Sequence, residues 1–185
     1  MMTHLRPALA SLLALSLLTG VAYPLALTGL AAVIAPDRAA GSLILREGQV
    51  VGSALIGQGF DEPGYLHPRP SASGWNAAGT SASNLGPTSA ALLAQVQERQ
   101  AAYEAQNGAS APVDAVTGSG SGLDPHVSPA NARAQAARIA RARGLEEAAV
   151  RRLIEAHVEP PLLGLWGQAR VNVLAVNLAL DAAGA

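Results

Sequence analysis

Hydropathy divides the chain before any motif is considered. After Arg6 no charged residue appears until Asp37, and the stretch between, LASLLALSLLTGVAYPLALTGLAAVIA, is apolar almost throughout. A bilayer-crossing helix needs about 20 such residues, so residues 8–35 are expected to form a transmembrane anchor. Gly20 and Pro24 fall inside the run and predict a kink, which membrane helices tolerate. The competing reading is a cleaved signal peptide, with Gly20, Val21 and Ala22 as a small-x-small site. A signal's apolar core is only about 7–15 residues long, and this run continues well past that site. A retained anchor is therefore expected. Arg6, His4 and the amino terminus form the positive cluster that precedes it. By the positive-inside rule residues 1–7 stay in the cytoplasm, and residues 37–185 form a soluble domain outside it.

Past the anchor the pattern is that of a mixed α/β domain. Residues 42–46 and 50–58 read as two strands joined at Glu47 and Gly48. Phe60, the only Phe, is expected in the core. Residues 61–87 hold too many Pro, Gly, Ser and Asn for regular structure. Tyr65, His67, Arg69, Trp75 and Asn76 give this loop bulky, hydrogen-bonding side chains, so it is expected to be docked rather than free. Tyr65, Arg69, Trp75 and Asn84 are the candidate contacts to a partner protein. A helix follows over 88–106, with Leu92, Leu93, Val96 and Tyr103 on one side, then a linker over 107–111. Val113 and Val116 suggest a short extended run. Ser128 as N-cap and Pro129 at the first helical position open a helix that Gly144 closes. Val150, Leu153, Ile154 and His157 recur at i, i+3, i+4 and i+7 on a second helix over 146–157. Residues 170–181 read as a helix capped by Asn172, with a buried strand as the alternative.

Composition narrows the chemistry. The formal net charge is −1, there is no lysine, and there is no cysteine. Nucleic-acid binding has no electrostatic basis here, and disulfides and thiolate metal sites are excluded. The most unusual stretch is 118–122, GSGSG. Successive amides in such a loop can form a concave anion site, although no GxxxxGK[ST] pattern is present. Two readings follow: a structural turn, or a nucleotide site built from Ser119, Gly120, Ser121 and Gly122 with Gln135 reaching back. Asp114, Ser119, Ser121, Asp124 and His126 are hydrolase residue types, but there is no GxSxG elbow, so no catalytic residue is assigned. His67, His126 and His157 lack the i, i+4 spacing of a readable metal site, and none is assigned. Arg138, Arg141 and Arg143 read as a solvated helix end.

Several motifs recur in a fixed order: GSALIGQGF (52–60), HPRPSAS (67–73), SNLGP (83–87), PVDAVTGSGSGLDPHVSP (112–129), ARARGL (140–145) and RVNVLAVNLALD (170–181). Together they resemble the KdpC family, the C subunit of the Kdp potassium-transporting ATPase, over essentially the whole chain. Leu66, Trp75 and the Gln168-Ala169 pair depart from the family pattern. The resemblance implies a non-catalytic subunit of a bacterial inner-membrane complex that hydrolyses ATP to import potassium. It implies as partners a channel-like potassium-translocating subunit and a P-type ATPase subunit. It further implies a catalytic chaperone that supports assembly and raises the pump's apparent affinity for ATP, with no firmly bound cofactor and ATP as the family-level ligand. ATP is scarce outside the cytoplasm, so with the topology above the 118–122 loop is expected to be structural.

Overall fold

The structure, a computed structural model, describes residues 2–183. The chain divides into two compact units that meet in sequence at Val51 and Gly52. That boundary falls within the second strand of the first hairpin, Gln49–Ser53.

In the first unit α1 (Met2–Leu17), a π-helical turn (Leu18–Ala22) and α2 (Tyr23–Ile34) form one continuous helix. Its span Thr3–Ile34 has a mean hydropathy of 1.9 and is long and apolar enough to cross a membrane. The expected kink takes the form of the π turn. Pro24 offers no N–H and crowds the carbonyl four residues back, and the ladder widens so that Tyr23 N–H donates to Leu18 O. The hydroxyls of Thr19 and Thr28 donate to the carbonyls of Leu15 and Pro24, at 2.7 and 2.8 Å, so neither is left unsatisfied. After a single turn, α3 (Pro36–Ala39), comes the hairpin β1 (Leu43–Arg46) and β2 (Gln49–Ser53). Glu47 and Gly48 both have positive φ, 52° and 77°, as a two-residue turn matched to strand twist requires.

The strand β2 ends at Ser53, not at residue 58 as the apolar pattern suggested. The chain turns there because Gly57 must meet another backbone: its N–H donates to Leu123 O at 2.8 Å, and a Cβ on it would lie 2.5 Å from Asp124 O. Residues 61–87 follow without helix or strand. The helix α4 (Ala90–Asn107) is capped by Ser89, whose hydroxyl accepts from Leu92 N–H, and Gly108 closes it at φ 65°. Leu93 points into solvent, so the apolar side of this helix is narrower than its sequence suggests. Val113–Val116 is a single helical turn, α5, not extended; Thr117 Oγ1 donates back to Val113 O and stabilises it.

The core lies between three helices and a small sheet. The helix α6 (Pro129–Arg143) presents Ala132, Ala136, Ile139 and Ala140, and α7 (Glu147–Ala156) presents Val150 and Ile154. The small alanine ridge lets α7 approach closely. The predicted caps hold: Ser128 Oγ accepts from Asn131 N–H, and Gly144 stands at φ 67°. The final stretch is both strand and helix. The strand β5 (Arg170–Asn172) lies between β3 (His126–Val127) and β4 (Val158–Glu159), antiparallel to each, with Val171 opposite both Val127 and Val158. The chain then turns into α8 (Val173–Ala183), and Asn172 Oδ1 accepts from Ala175 N–H as the expected cap. Val176 and Leu180 of α8 complete the core with Val171, Leu66 and a partly buried Phe60.

Candidate functional site

The GSGSG stretch is lashed to the HPRPSAS stretch some 50 residues away in sequence. Ser119 N–H donates to Pro70 O at 2.9 Å, and Ser81 N–H donates to Ser121 O at 3.1 Å. Ser71 Oγ donates to Gly122 O at 2.7 Å, joined by Ser73 Oγ at 3.3 Å. Inside the loop, Ser119 Oγ accepts from the N–H groups of Gly122 and Asp124 at 3.0 and 3.3 Å, and Ser119 is buried. Ser121 Oγ accepts from Leu123 N–H at 3.0 Å. The hydroxyls thus serve the loop's own amides. Gly122 is the constrained glycine, with φ 72° and a Cβ position 2.7 Å from Ser81 O and overlapping Ser73 Oγ. Gly120 is different: its φ is not positive and a Cβ there meets nothing within 4 Å.

Arg69 closes the junction. Its Nη1 donates to Asp124 Oδ2 at 2.9 Å, and Nη2 reaches the carbonyls of Thr117 and Gly118. Asp124 Oδ1 accepts from His126 N–H at 3.0 Å, with His126 Nδ1 at 3.6 Å. Burial works against the Asp124 carboxylate, but the hydrogen bonds from His126 and Arg69 outweigh it and hold its pKa below the usual value. A cleft of about 400 Å³ opens beside these groups, lined among others by Arg69, Asp114, Asp124, His126 and Arg170. Asp114 is committed to the start of α6. It accepts from Ser128 N–H, Ser128 Oγ and Asn131 Nδ2 at 2.7, 2.8 and 3.1 Å. Among the described residues no cluster of three His, Asp or Glu is placed to hold a metal.

The residues proposed to hold a nucleotide are not all brought together. Ser119, Gly120 and Ser121 line one hollow of about 580 Å³, and Gln135 is not among its lining. Gln135 is buried and fully engaged: Oε1 accepts from His67 N–H and Arg138 Nη2, and Nε2 donates to His67 O and Asn131 Oδ1. A second amide repeats the arrangement one residue earlier. Leu66 N–H donates to Asn177 Oδ1 at 2.7 Å, and Asn177 Nδ2 donates to Leu66 O at 3.0 Å. Two side-chain amides, one from α6 and one from α8, thus do for Leu66 and His67 what a neighbouring strand would do.

The loop is therefore docked, on its own domain. Tyr65 lies 5.5 Å from the Phe60 ring, with the Arg143 guanidinium 4.6 Å above it. Trp75, at φ 57°, covers Gly59, and Arg69 is held by Asp124. Of the four candidate partner contacts only Asn84 is exposed, at φ 53°, a conformation Asn tolerates.

The arginines of α6 are not a solvated end. Arg138 is buried and donates to Asn107 Oδ1, Pro63 O, Tyr65 O and Gln135 Oε1. Burial without a carboxylate partner brings its pKa down to about 10. Arg143 donates to Gly64 O, Leu180 O and Asp181 Oδ1. Of the three arginines at the end of the helix, 138, 141 and 143, Arg141 alone is exposed. The reason lies in the loop, whose carbonyls need donors that a proline-rich segment cannot supply itself, and the guanidinium fork supplies several at once. His157 is a helix-end histidine as read, its Nδ1 2.8 Å from Leu153 O.

Comparison with known proteins agrees with this architecture. The family model described as K+-transporting ATPase, c chain, matches residues 5–182. A potassium-transporting ATPase KdpC subunit from Cereibacter sphaeroides (strain KD131 / KCTC 12085) is 97% identical over the full length of both chains. One from Polaromonas naphthalenivorans (strain CJ2) is 57% identical, covering 96% of this chain and 94% of its own. One from Caulobacter vibrioides (strain NA1000 / CB15N) is 56% identical, covering 98% of this chain and 94% of its own. With its apolar helix, its mixed helix-and-sheet domain and a match over nearly every residue, the chain belongs to the KdpC family, the c chain of the K+-transporting ATPase.

Proposed function

We propose that this chain is a non-catalytic accessory subunit of an ATP-driven, high-affinity potassium import complex. It is anchored once in the bacterial inner membrane through the Thr3–Ile34 helix, with its amino terminus in the cytoplasm and residues 37–185 outside. Its partners are the channel-like potassium-translocating subunit and the P-type ATPase subunit. Its work is to support their assembly and, as a catalytic chaperone, to raise the pump's apparent affinity for ATP, without gripping the nucleotide in the 118–122 loop.

The observation that carries the structural reading of the loop is the destination of its polar groups. Ser119 Oγ, Ser121 Oγ and Gln135 are already spent on main-chain partners. A ligand would have to displace those bonds, leaving buried amides unpaired. The test uses assembled complexes carrying Gly120→Ala, which adds bulk in open space, or Ser121→Ala, which removes the hydroxyl of an exposed residue at the expense of its bond from Leu123 N–H. The expected result is an apparent KM for ATP close to that of the unsubstituted complex. A severalfold rise with assembly intact would make the loop a nucleotide site and overturn both this reading and the orientation.

A further inference from the structure

Between β4 and β5 the chain makes a tight tip with an unusual surface. Leu162, Leu163, Leu165 and Trp166 are 68, 77, 79 and 65% exposed. No charged residue occurs from position 160 to 169. The flanking charges cancel, Arg170 Nε donating to Glu159 Oε2 at 2.8 Å. Large apolar side chains grouped at a tip mark a contact surface. Leu163 is also held at φ 54°, beside Gly164 at 72°. A bulky residue rarely adopts that conformation, and the turn uses it to carry a leucine at the apex.

The main chain says what kind of surface covers the tip. Leu162 N–H donates to Trp166 O and Trp166 N–H to Leu162 O, at 2.9 and 3.1 Å. Gly164 N–H donates to Pro161 O and Leu165 N–H to Leu162 O, at 2.9 and 3.1 Å. The tip therefore satisfies most of its own amides, which is the condition for entering hydrocarbon. Its side chains offer a protein partner almost no hydrogen bonds, whereas protein interfaces carry about one per 100–200 Å². The one polar group, the indole N–H of Trp166, is the type that settles at lipid headgroups. Four of the five residues from 162 to 166 are large, apolar and mostly exposed. A fluid environment accommodates that arrangement more readily than a flat protein surface.

We propose that the Leu162–Trp166 tip is an interfacial wedge that seats in the headgroup–acyl boundary of a lipid bilayer, giving the chain a second membrane contact. The inference rests on the reading of Thr3–Ile34 as a membrane anchor, which brings a bilayer within reach of the same chain. The chain has two tryptophans, Trp75 and Trp166, and none in the anchor. That makes the tip directly readable. Full-length protein, alone and in the assembled complex, is reconstituted into phosphatidylethanolamine–phosphatidylglycerol vesicles with and without brominated acyl chains. The Trp166 signal is taken as the difference between the unsubstituted chain and Trp166→Phe, and checked with Trp75→Phe.

The expected result is blue-shifted Trp166 emission that brominated lipid quenches strongly and aqueous acrylamide quenches weakly. Emission quenched by acrylamide and not by brominated lipid places the tip in water and overturns the proposal. Protection from both quenchers, arising only in the complex, means a protein subunit covers the tip and overturns it equally. Alkaline extraction of the same vesicles tests the anchor separately. A chain retained in the membrane with an unquenched tip refutes the wedge alone, and a chain released refutes the anchor and the wedge together.

Discussion

Replacing Gly122 by alanine is the sharpest perturbation of the loop junction. Gly122 sits at φ 72°, where an L-residue pays about 1–2 kcal/mol. The new methyl would lie 2.7 Å from Ser81 O and overlap Ser73 Oγ, and such overpacking costs about 1–3 kcal/mol once neighbours shift. The shift also disturbs the hydrogen bonds from Ser71 and Ser73 to Gly122 O, each contributing roughly 0.5–1.5 kcal/mol net. These terms overlap, so the expected loss is about 3–4 kcal/mol. For a domain of this size that corresponds to a melting temperature lower by roughly 10 °C. The assay is thermal unfolding of the full-length chain in detergent micelles, followed by circular dichroism. Gly120→Ala is the internal control: a Cβ there meets nothing within 4 Å, so the change should stay within about 0.5 kcal/mol. Equal melting of the two variants, or a Gly122→Ala protein as stable as the parent, would refute the assignment of Gly122 as the constrained position.

Asn177→Ala should destabilise the domain by about 2–4 kcal/mol, because it strands the buried N–H and C=O of Leu66 together; urea unfolding measures it, and a loss under about 1 kcal/mol contradicts the surrogate-strand reading. Stability should fall as pH is lowered from 7 towards 5. Burial, with Arg138 nearby, lowers the folded pKa of His67 below the ordinary histidine value of 6.5, so the unfolded chain binds the proton first, and the penalty grows until pH passes below the folded value. His67→Gln should flatten that slope in a pH series of denaturation midpoints, and an unchanged slope assigns it to other groups. Protease added outside intact spheroplasts should digest the soluble domain, and complete protection would reverse the proposed orientation.

Features set by neighbours in sequence are legible in this chain, and features set by distant residues are not. The caps of α6 at Ser128, Pro129 and Gly144 were legible because each acts within four residues of itself. The hairpin turn at Glu47 and Gly48 and the apolar helix were legible for the same reason. The 118–122 loop could be located from its glycines, but not which glycine mattered. That is decided by Ser73 and Ser81, which arrive from another part of the chain. Arg138 and Arg143 looked solvated because a helix end usually is; the carbonyls that bury them come from residues 63–65, some 75 positions earlier. The continuous hydrophobicity of 170–181 suggests one element, yet Val171 opposite Val127 and Val158 makes its first three residues a central strand. Gln135, which the nucleotide reading has reaching back to the 118–122 loop, instead bonds the main chain of His67.

That last contact has a consequence for how the protein can change. Leu66 and His67 are gripped by their main-chain N–H and C=O groups, which every non-proline residue possesses. The long loop is therefore specified largely from outside itself. In a saturation mutagenesis screen for growth at limiting potassium, position 67 should accept many side chains, proline excepted, while 135 and 177 should accept almost none. Insertions a few residues away should be tolerated so long as two consecutive peptide units can still present themselves to the two amides. The vocabulary of the loop is free to drift; its address on the domain is written on α6 and α8.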